Sequence, residues 1–404
     1  MASVLLLVHR LPYPPNKGDK VRSYHLLEHL AARHSVFLGT FIDDPDDEQH
    51  IAKVRGLCAD LHISRLEPRY ARLRSLAGLL HNEPLTLRYY RDAALAAWAS
   101  DLCRRGVPDS VVVFSSSMAQ YASGCNGPRL VDFVDVDSAK WIDYAPTHPW
   151  PLSWLYRREG RCLLAYERRV AAGATRSFFV TQKEADLFRS LAPECSPTIE
   201  AMSNGVDADY FAPDSTRPSP FTPDELPLVF TGAMDYWPNV DAVSWFVSDV
   251  LPRLRRQWPA LRFHIVGRSP TAAVRGLAGE AVNVTGTVAD VRPYLEHARI
   301  VVAPLRLARG LQNKVLEAMA MARPVVAASS CAEAIDAVPG VHLLQAESVD
   351  DYVREVAALL SSPDRARAIG GAGRDRVRAV YHWDACLAGI DQFLDAPNRE
   401  RALA

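Results

Sequence analysis

The sequence predicts an α/β protein built from two doubly wound domains that face one another across a cleft. Short apolar runs alternate with helix-like segments along most of the chain, which is the pattern of parallel sheets with right-handed crossovers. The chain has 404 residues, more than one core comfortably accommodates, so two domains are expected. Residues 206–227 are rich in proline and small polar residues, and the alternation restarts after them.

We therefore predict an N-terminal domain over residues 1–205, a linker over 206–227 and a second domain over 228–382. Residues 383–404 are predicted to form a C-terminal helix that packs back toward the first domain. The sequence shows no fixed-period repeat, so a solenoid or a propeller is not expected.

The first domain opens with the apolar run Val4–Val8, which predicts a buried strand. A loop containing prolines and a glycine follows over Leu11–Lys20, and leucines on one stripe predict a helix over Val21–Arg33. Apolar runs rich in β-branched or aromatic residues predict further strands. These are Ser35–Phe41, Ser110–Phe114, Leu130–Val134 and Ser177–Val180.

The second domain repeats the alternation after the linker. Its predicted strands are Leu228–Thr231, Arg262–Val266, Val282–Thr285, Ile300–Ala303 and Val325–Ala328. Its predicted helices are Val240–Gln257, Asp290–His297 and Leu311–Met321.

Composition and charge exclude several classes of protein. A formal charge of −1 leaves no basic excess to attract nucleic acid. The seven cysteines are scattered without paired spacing, which predicts reduced thiols in a cytoplasmic protein and no zinc site. No apolar run is long enough for a signal peptide or a membrane span.

Residues 310–326 are the most informative stretch of the chain. They read G-L-Q-N-K-V-L-E-A-M-A-M-A-R-P-V-V and follow the predicted strand Ile300–Ala303, so a glycine turn joins the end of a strand to the start of a helix. Ligands bind at such strand ends, and the free N–H groups of a helix start attract phosphate. Lys314 adds a positive charge there, and Glu317 can accept hydrogen bonds from hydroxyls. The pattern therefore suits a nucleotide.

This stretch, together with Ser203–Asp207 and Phe211, resembles the retaining GT-B glycosyltransferases of the glycogen-synthase-like type, known as group 1 or family 4. The run F-T-G-A-M-D-Y-W-P-N-V-D-A-V at residues 230–243 resembles a bacterial subgroup associated with exopolysaccharide synthesis and the PEP-CTERM/exosortase system. The resemblance implies two Rossmann-like domains of the GT-B fold. It also implies transfer of a sugar from a nucleoside-diphosphate donor to a hydroxyl acceptor, with retention and without a metal or other cofactor.

The resemblance places the donor mainly against the second domain. The implied donor-binding residues there are Gly232, Arg306, Arg309, Gly310, Leu311, Gln312, Asn313 and Glu317. Two departures matter. Arg309 stands where relatives carry the first glutamate of an E-x7-E motif, and the loop after the first strand of this domain lacks the usual arginine and lysine. We therefore predict that Lys314, with Arg306 or Arg309, stabilises the departing diphosphate.

The loop after the first strand of the chain supplies the remaining donor candidates. Gly18 would permit close approach of the backbone to phosphate, Asp19 could contact a donor hydroxyl, and Arg22 could reach a phosphate. An ordinary turn followed by a helix cap is the alternative for Gly18 and Asp19, and also for Arg22.

Asp135 and Asp137 form a D-x-D pattern at the end of a predicted strand. We assign them as catalytic candidates near the acceptor hydroxyl, on the acceptor side of the protein. A helix cap or local salt bridge is the alternative, and a divalent-cation site is a further one, because paired carboxylates bind such ions.

Two stretches of the first domain, 69–80 and 150–169, interleave arginine with apolar residues. Such stretches suit the surface of an anionic membrane, and a polyprenyl-linked acceptor would make that contact useful. The solvated outer faces of core helices are the alternative. The predicted partners are thus a nucleotide sugar, a glycan or lipid-linked acceptor, and the inner face of the cytoplasmic membrane.

Two other functions fit the same residues. A nucleotide-sugar epimerase of similar fold would need no acceptor. A catalytically silent sugar-nucleotide-binding subunit is also compatible with Arg309 and with the missing cations of the second domain.

Overall fold

The computed structural model describes residues 1–15, 18–306 and 311–394. The chain forms two compact units. Unit 1 comprises Met1–Ser203 together with the described residues from Leu387 onward, and unit 2 comprises Asn204–Cys386.

Among the described residues, unit 1 contains one seven-stranded sheet with the order β3-β2-β1-β4-β5-β6-β7, and every neighbouring pair is parallel. The chain order reverses between β1 and β4, which makes the carboxyl ends of these two strands the topological switch point. The strands are β1 (Ser3–Val8), β2 (Ser35–Ile42), β3 (Asp60–Arg65), β4 (Ser110–Phe114), β5 (Arg129–Val134), β6 (Arg176–Phe179) and β7 (Ile199–Ala201).

Helices connect these strands. They are α1 (Gly18–Ala31), α2 (Ile51–Arg55), α3 (Pro68–Ser75), α4 (Leu85–Tyr89), α5 (Ala93–Arg104), α6 (Asp137–Tyr144), α7 (Leu152–Ala172) and α8 (Gln182–Leu191). The central strands β1 and β4 are buried along almost their whole length, as parallel strands covered on both faces must be. Their apolar sequences therefore form the middle of the core.

The described part of unit 2 contains a six-stranded parallel sheet with the order β10-β9-β8-β11-β12-β13. Its switch point lies between β8 and β11. The strands are β8 (Leu226–Thr231), β9 (Leu261–Val266), β10 (Val282–Gly286), β11 (Ile300–Ala303), β12 (Val325–Ala328) and β13 (Leu344–Ala346).

The helices of unit 2 largely follow its strands. They are α9 (Trp237–Trp245), α10 (Leu251–Arg255), α11 (Ala272–Arg275), α12 (Arg292–Glu296), α13 (Asn313–Ala320), α14 (Ser329–Ala332), α15 (Val349–Ser361) and α16 (Pro363–Val380). The single helix predicted over Val240–Gln257 is interrupted by a π-helical turn at Phe246–Val250. Pro252 follows that turn at the start of α10, where a residue without an N–H group is tolerated.

The chain between Gly205 and Glu225 contains turns and one isolated bridge, from Val206 to His382, but no helix or strand. The last helix, α17 (Trp383–Leu394), leads from unit 2 to unit 1. In unit 1 its Asp391 lies 2.8 Å from Nε2 of His29. The contact between Asp391 and His29 is made by the helix that was predicted at the C-terminus.

Cys103 and Cys125 form a disulfide, with Cα atoms 4.6 Å apart. This corrects the prediction that all cysteines are reduced. The end of α5 and the loop before β5 bring the two thiols together, although they are 22 residues apart in the sequence, so their spacing along the chain carries no signal of the pairing.

Candidate functional site

Two glycines shape the switch point of unit 2. Gly232 follows β8 directly, and Gly267 follows the neighbouring strand β9. A Cβ atom at Gly267 would overlap the carbonyl oxygen of Gly232, so the two loops can approach only because Gly267 has no side chain. A Cβ at Gly232 would lie 2.8 Å from Nδ2 of Asn239 and 3.0 Å from Nζ of Lys314.

Lys314 lies in the first turn of α13, above this loop. Its Nζ donates a 2.5 Å hydrogen bond to Oδ1 of Asn239, whose Nδ2 donates to the carbonyl oxygen of Ala233. The same ammonium lies 4.4 Å from the ring centroid of Phe230. Burial lowers the pKa of Lys314 to about 8, so a compact, poorly solvated cation stands beside the N–H groups of a helix start.

Glu317 follows Lys314 by about one helical turn and is half-buried. Burial raises its pKa to about 7, although the charge of Lys314 opposes the rise. The carboxyl group therefore changes charge near neutral pH. It can accept hydrogen bonds from hydroxyls when ionised.

The residues around this helix start carry further polar groups. Gln312 is the N-cap residue of α13, and Leu311 packs partly buried against the core of unit 2. Oδ1 of Asn313 and Oγ1 of Thr231 are buried and have no hydrogen-bond partner within the described residues. Unsatisfied buried polar atoms are uncommon in native proteins, and here one belongs to the residue before Lys314 and the other to the last residue of β8.

Arg306 is the other described cation that the sequence assigned to this site. Its guanidinium forms an ion pair with Asp241 and lies 5.5 Å from the ring centroid of Trp245. Arg309 and Gly310 lie outside the described residues.

The switch point of unit 1 is chemically different. His9 and Arg10 follow β1, and Asp19 lies in the first turn of α1. Arg10 donates from Nη1 to Asp19 at 2.8 Å and binds Asp43 through Nε and Nη2. Nε2 of His9 lies 3.3 Å from Asp19. Burial alone would raise the pKa of Asp19, but His9 and Arg10 hold it well below its usual range.

Gly18 begins α1, and a Cβ atom placed there would meet nothing within 4 Å. Neither crowding within unit 1 nor a left-handed φ requires a glycine at this position. The open space is compatible with the predicted approach of a ligand.

The prediction that Arg22 reaches a phosphate needs correction. Arg22 is 1% exposed, and its Nε and Nη2 donate to Asp132 at 2.6 and 3.2 Å. Asp132, at 2% exposure, lies on β5. The guanidinium is thus directed into unit 1 by a buried ion pair, because α1 packs its arginine against the sheet.

Asp135 and Asp137 both pair with Lys140, at 2.8 and 3.1 Å. Asp137 is the first residue of α6, and the N-cap residue Val136 has no side-chain cap, so the expected cap by Asp137 is absent here. The local salt bridge that the sequence left open is present. No group of three or more candidate metal ligands occurs within the described ranges.

These carboxylates border a pocket of about 310 Å³ in unit 1. The pocket lies at the carboxyl ends of β1, β4 and β5, where a doubly wound sheet binds its ligand. Its lining residues are His9, Asp19, Thr86, Tyr90, Phe114, Ser115, Phe133, Val134, Asp135, Asp137, Lys140 and Trp141.

The backbone at this pocket is strained in two places. Ser115 has φ 74° and Val134 has φ 68°. A positive φ is a genuine outlier for a β-branched residue, and such strain persists where the surroundings over-determine it, often at functional sites. Asp132 Oδ1 accepts a 3.1 Å hydrogen bond from the N–H of Val134 and so fixes that turn.

The sequence interpretation missed several residues of this pocket. His9 and Lys140 were not assigned to it, although His9 directly follows the first strand and Lys140 follows Asp137 by about one helical turn. Ser115 carries no local signal, because it reaches the pocket through the pairing of β1 with β4.

The fold and the two switch-point sites define a two-unit α/β protein, with a cation and a carboxyl group at one helix start and an acidic pocket in the other unit. Among solved structures, sucrose-phosphate synthase from Thermosynechococcus elongatus has a TM-score of 0.69 at 17% identity and covers 100% of both chains. Anabaena HepE in complex with UDP has a TM-score of 0.64 at 12% identity and covers 98% of this chain and 100% of HepE. The fold is GT-B.

Residues 225–362 match the family model described as glycosyl transferases group 1. A GDP-mannose-dependent alpha-(1-6)-phosphatidylinositol monomannoside mannosyltransferase from Mycobacterium tuberculosis is 30% identical over 282 residues, covering 64% of this chain and 70% of that protein. A D-inositol 3-phosphate glycosyltransferase from Segniliparus rotundus is 26% identical over 262 residues, covering 60% and 56%. The chain belongs to the group 1 glycosyl transferases, and it is a glycosyltransferase.

Proposed function

We propose that this glycosyltransferase moves a sugar from a nucleoside-diphosphate sugar to a hydroxyl of a glycan or lipid-linked glycan, with retention of the anomeric configuration. The ammonium of Lys314, held by Asn239 above Gly232 at the start of α13, is the observation that carries the proposal. The names of the similar proteins, which mention GDP-mannose and UDP, support a nucleotide-sugar donor. Retention and a role in bacterial exopolysaccharide synthesis rest on the resemblance described above.

Lys314 would stabilise the diphosphate as it departs. Cleavage of the glycosidic bond to the nucleotide places negative charge on phosphate oxygens, and a fixed cation with helix N–H groups stabilises that charge. Arg306 would assist if its guanidinium exchanged Asp241 for phosphate. We propose that these groups act without a metal, as the resemblance implies.

Glu317 would accept hydrogen bonds from the ribose hydroxyls of the nucleotide. It lies about one helical turn after Lys314, so the two side chains can contact neighbouring parts of one donor. Gly232, Leu311, Gln312 and Asn313 would approach the donor through backbone or side-chain atoms, and Gly18 and Asp19 of unit 1 remain candidates for the same ligand.

Asp135 and Asp137 would bind the acceptor in the pocket of unit 1. An ionised carboxylate accepts hydrogen bonds from hydroxyls and orients the one that attacks.

A membrane surface is the proposed location of the acceptor. Leu80 and Trp150 of unit 1 are 85% and 80% exposed, and Trp154 is half-exposed. Arg158 donates to the carbonyl oxygen of Gly78 at 2.8 Å, which joins the start of α7 to the segment before Leu80. The exposed arginines of these segments would complement anionic lipid on the inner face of the cytoplasmic membrane. They include Arg69, Arg72, Arg74, Arg157 and Arg161.

Within the described ranges, no helix has the length and apolar character needed to cross a membrane. The proposed contact is therefore one at the membrane surface. Vesicles containing anionic lipid should retain the wild type and release Leu80→Glu and Trp150→Glu. Val338→Glu, at a 54%-exposed apolar position of unit 2, is the control and should stay bound. Equal binding of all four proteins would reject the surface.

A thermal-shift screen tests the donor site. UDP, GDP, ADP and their sugar derivatives are added to the full chain, and a ligand that binds the native state raises its melting temperature. We expect protection by at least one nucleoside diphosphate and its loss in Lys314→Ala and Glu317→Ala. Lys183→Ala and Glu333→Ala, at exposed positions, should keep the protection.

Product analysis separates the alternative activities. Transfer to an acceptor supports the proposal, conversion of a free nucleotide sugar without acceptor indicates an epimerase, and binding without any reaction indicates a silent subunit. Unchanged protection in both Lys314→Ala and Glu317→Ala would refute the assignment of the donor site.

A further inference from the structure

The lysine that lines the pocket of unit 1 forms ion pairs with two carboxylates. Nζ of Lys140 lies 2.8 Å from Asp135 and 3.1 Å from Asp137. The side chain of Lys140 is 45% exposed; its partial burial would lower its pKa, but the two carboxylates raise it. The ammonium therefore stays charged, and its charge is already matched by carboxylate oxygens.

Arg10, which pairs with the lining residue Asp19, has the same arrangement. Arg10 binds Asp43 through Nε and Nη2 and binds Asp19 through Nη1 at 2.8 Å. Asp19 lines the pocket, whereas Asp43 is not one of its lining residues. Among the described residues, Lys140 and Arg10 are thus each paired with two carboxylates, so each of these two clusters carries a net negative charge.

Two further groups of charged residues in unit 1 do not reverse this negative charge. Asp132 and Arg22 form a buried ion pair in which the two charges cancel. Glu184 accepts a 2.8 Å hydrogen bond from the N–H of Val136 and adds another carboxylate close to the start of α6.

Apolar rings and hydroxyls complete the lining. Tyr90, Phe114, Phe133 and Trp141 contribute ring surface, and Ser115 contributes a hydroxyl. Ring faces pack against the C–H faces of a sugar, while carboxylates and hydroxyls bond to its hydroxyl groups. The volume of about 310 Å³ is at the small end of the range for ligand sites.

We propose that this pocket selects an uncharged sugar or polyol unit as the acceptor and rejects one that carries a phosphate next to the reacting hydroxyl. The inference rests on the proposed function, because it specifies the acceptor of that reaction. A phosphate would meet carboxylates whose cations are already occupied, and like charges brought together reduce affinity for the wrong partner.

Saturation-transfer NMR on the full chain provides the test. The probes are two matched pairs: methyl α-D-mannopyranoside with methyl α-D-mannopyranoside 6-phosphate, and myo-inositol with myo-inositol 1-phosphate. At least one uncharged member should bind, about tenfold tighter than its phosphorylated partner. Equal or tighter binding of the phosphorylated member in both pairs overturns the proposal, as does binding of no probe up to its solubility.

Two variants should change the preference for the uncharged probe over the phosphorylated probe, in opposite directions. The double variant Asp135→Asn/Asp137→Asn releases Lys140, so the phosphorylated probe should gain affinity and the preference should fall about fivefold. Lys140→Gln removes the cation, so the preference should widen. Asp143→Asn, at an exposed position of α6 outside the lining, should change nothing. A preference that is the same in all four proteins overturns the proposal.

The rise in melting temperature caused by a nucleoside diphosphate is measured on the same samples. Protection together with an inverted or absent sugar preference rejects the acceptor class and leaves the donor assignment intact. Sugar binding without protection by any nucleotide rejects the donor assignment instead.

Discussion

The switch points of the two units share a topology but differ in chemistry. In unit 1 the strand order reverses at β1 and β4, and the loops there bring together Asp19, Asp135 and Asp137 around a pocket. In unit 2 the order reverses at β8 and β11, and the loops there bring Gly232 against the ammonium of Lys314. The carboxyl end of the unit 1 sheet thus has several carboxylates. The carboxyl end of the unit 2 sheet has a cation next to a glycine without a side chain.

This difference shows that the fold provides the location and the loops provide the chemistry. Both sheets place strand ends, helix starts and short loops together. A carboxylate-lined end suits neutral hydroxyl groups, and a cation beside helix N–H groups suits phosphate. A transferase needs both kinds of site, and under the proposed function each unit would supply one of them.

Removal of Asp132 should break the site of unit 1 most severely. Asp132→Asn leaves the buried guanidinium of Arg22 without its counter-charge and loosens the turn at Val134. Breaking a buried pair on one side costs about 3–5 kcal/mol. Urea unfolding should report this loss, with hydrogen exchange assigning it to unit 1. The double variant Arg22→Met/Asp132→Leu should recover much of the stability, and a single variant as stable as the wild type would contradict the buried-pair assignment.

Lys314→Ala should have the next largest effect, in unit 2. Loss of one group that stabilises charge in the transition state lowers kcat by about 10² to 10³-fold. Initial rates of transfer at saturating donor measure this effect. Lys314→Arg should retain part of the rate, because it keeps the charge. A variant without Lys314 that keeps full kcat would remove the lysine from the catalytic assignment.

The positions of the core strands along the chain were largely predictable from the sequence. Val4–Val8 and Ile300–Ala303 are continuous apolar runs, and the structure has strands there. The edge strand β7 has three residues, too short for periodicity to register. The interruption of the helix after α9 was missed because the apolar pattern continues through Phe246–Val250. Pro252 marks the position where the next α-helix begins.

The candidate site was predictable where its residues are close in sequence. Lys314 and Glu317 lie on one helix, and their side chains are near enough to shift each other's pKa. The partner of Lys314, Asn239, is 75 residues away, and Arg22 and Asp132 are 110 residues apart. Contacts between distant segments depend on how the strands assemble, so local patterns assigned Arg22 to a phosphate.

The pH dependence of donor binding should sharpen the assignment of unit 2. The pKa of Glu317 is about 7 and that of Lys314 is about 8. If the ionised carboxylate binds ribose and the ammonium binds phosphate, affinity rises as pH passes 7 and falls as pH passes 8. The expected profile is a bell with limbs of up to about tenfold per pH unit.

Calorimetric titration with the protecting nucleoside diphosphate measures this profile. Glu317→Gln should flatten the acid limb, and Lys314→Arg should move the alkaline limb to higher pH. Limbs that are the same in both variants would mean that other groups control the binding.

Val134→Gly tests the strain in unit 1. Glycine adopts φ 68° without the steric cost that valine bears, so relief of strain should stabilise unit 1 by about 1 kcal/mol. The gain is reduced by the extra freedom of glycine in the unfolded chain. Acceptor KM should rise, because the turn that presents Asp135 becomes less fixed. A less stable variant with unchanged KM would indicate that the strained turn has no positioning role.

At the acid end of its pH window Glu167→Gln should have the smallest effect of these variants, and the effect should grow as pH rises. Glu167 is 1% exposed and accepts from Oγ of Ser138 at 2.5 Å, next to Asp137. Burial raises its pKa from the ordinary 4.5 to about 8. Between these values the folded protein binds the proton more strongly than the unfolded chain, so stability falls as pH rises from about 4.5 to about 8. Glutamine cannot ionise and should remove this slope, while changing stability by less than about 1 kcal/mol at the acid end of the window. Chemical unfolding of both proteins across the window measures the two slopes, and parallel curves would show that Glu167 ionises normally beneath α6.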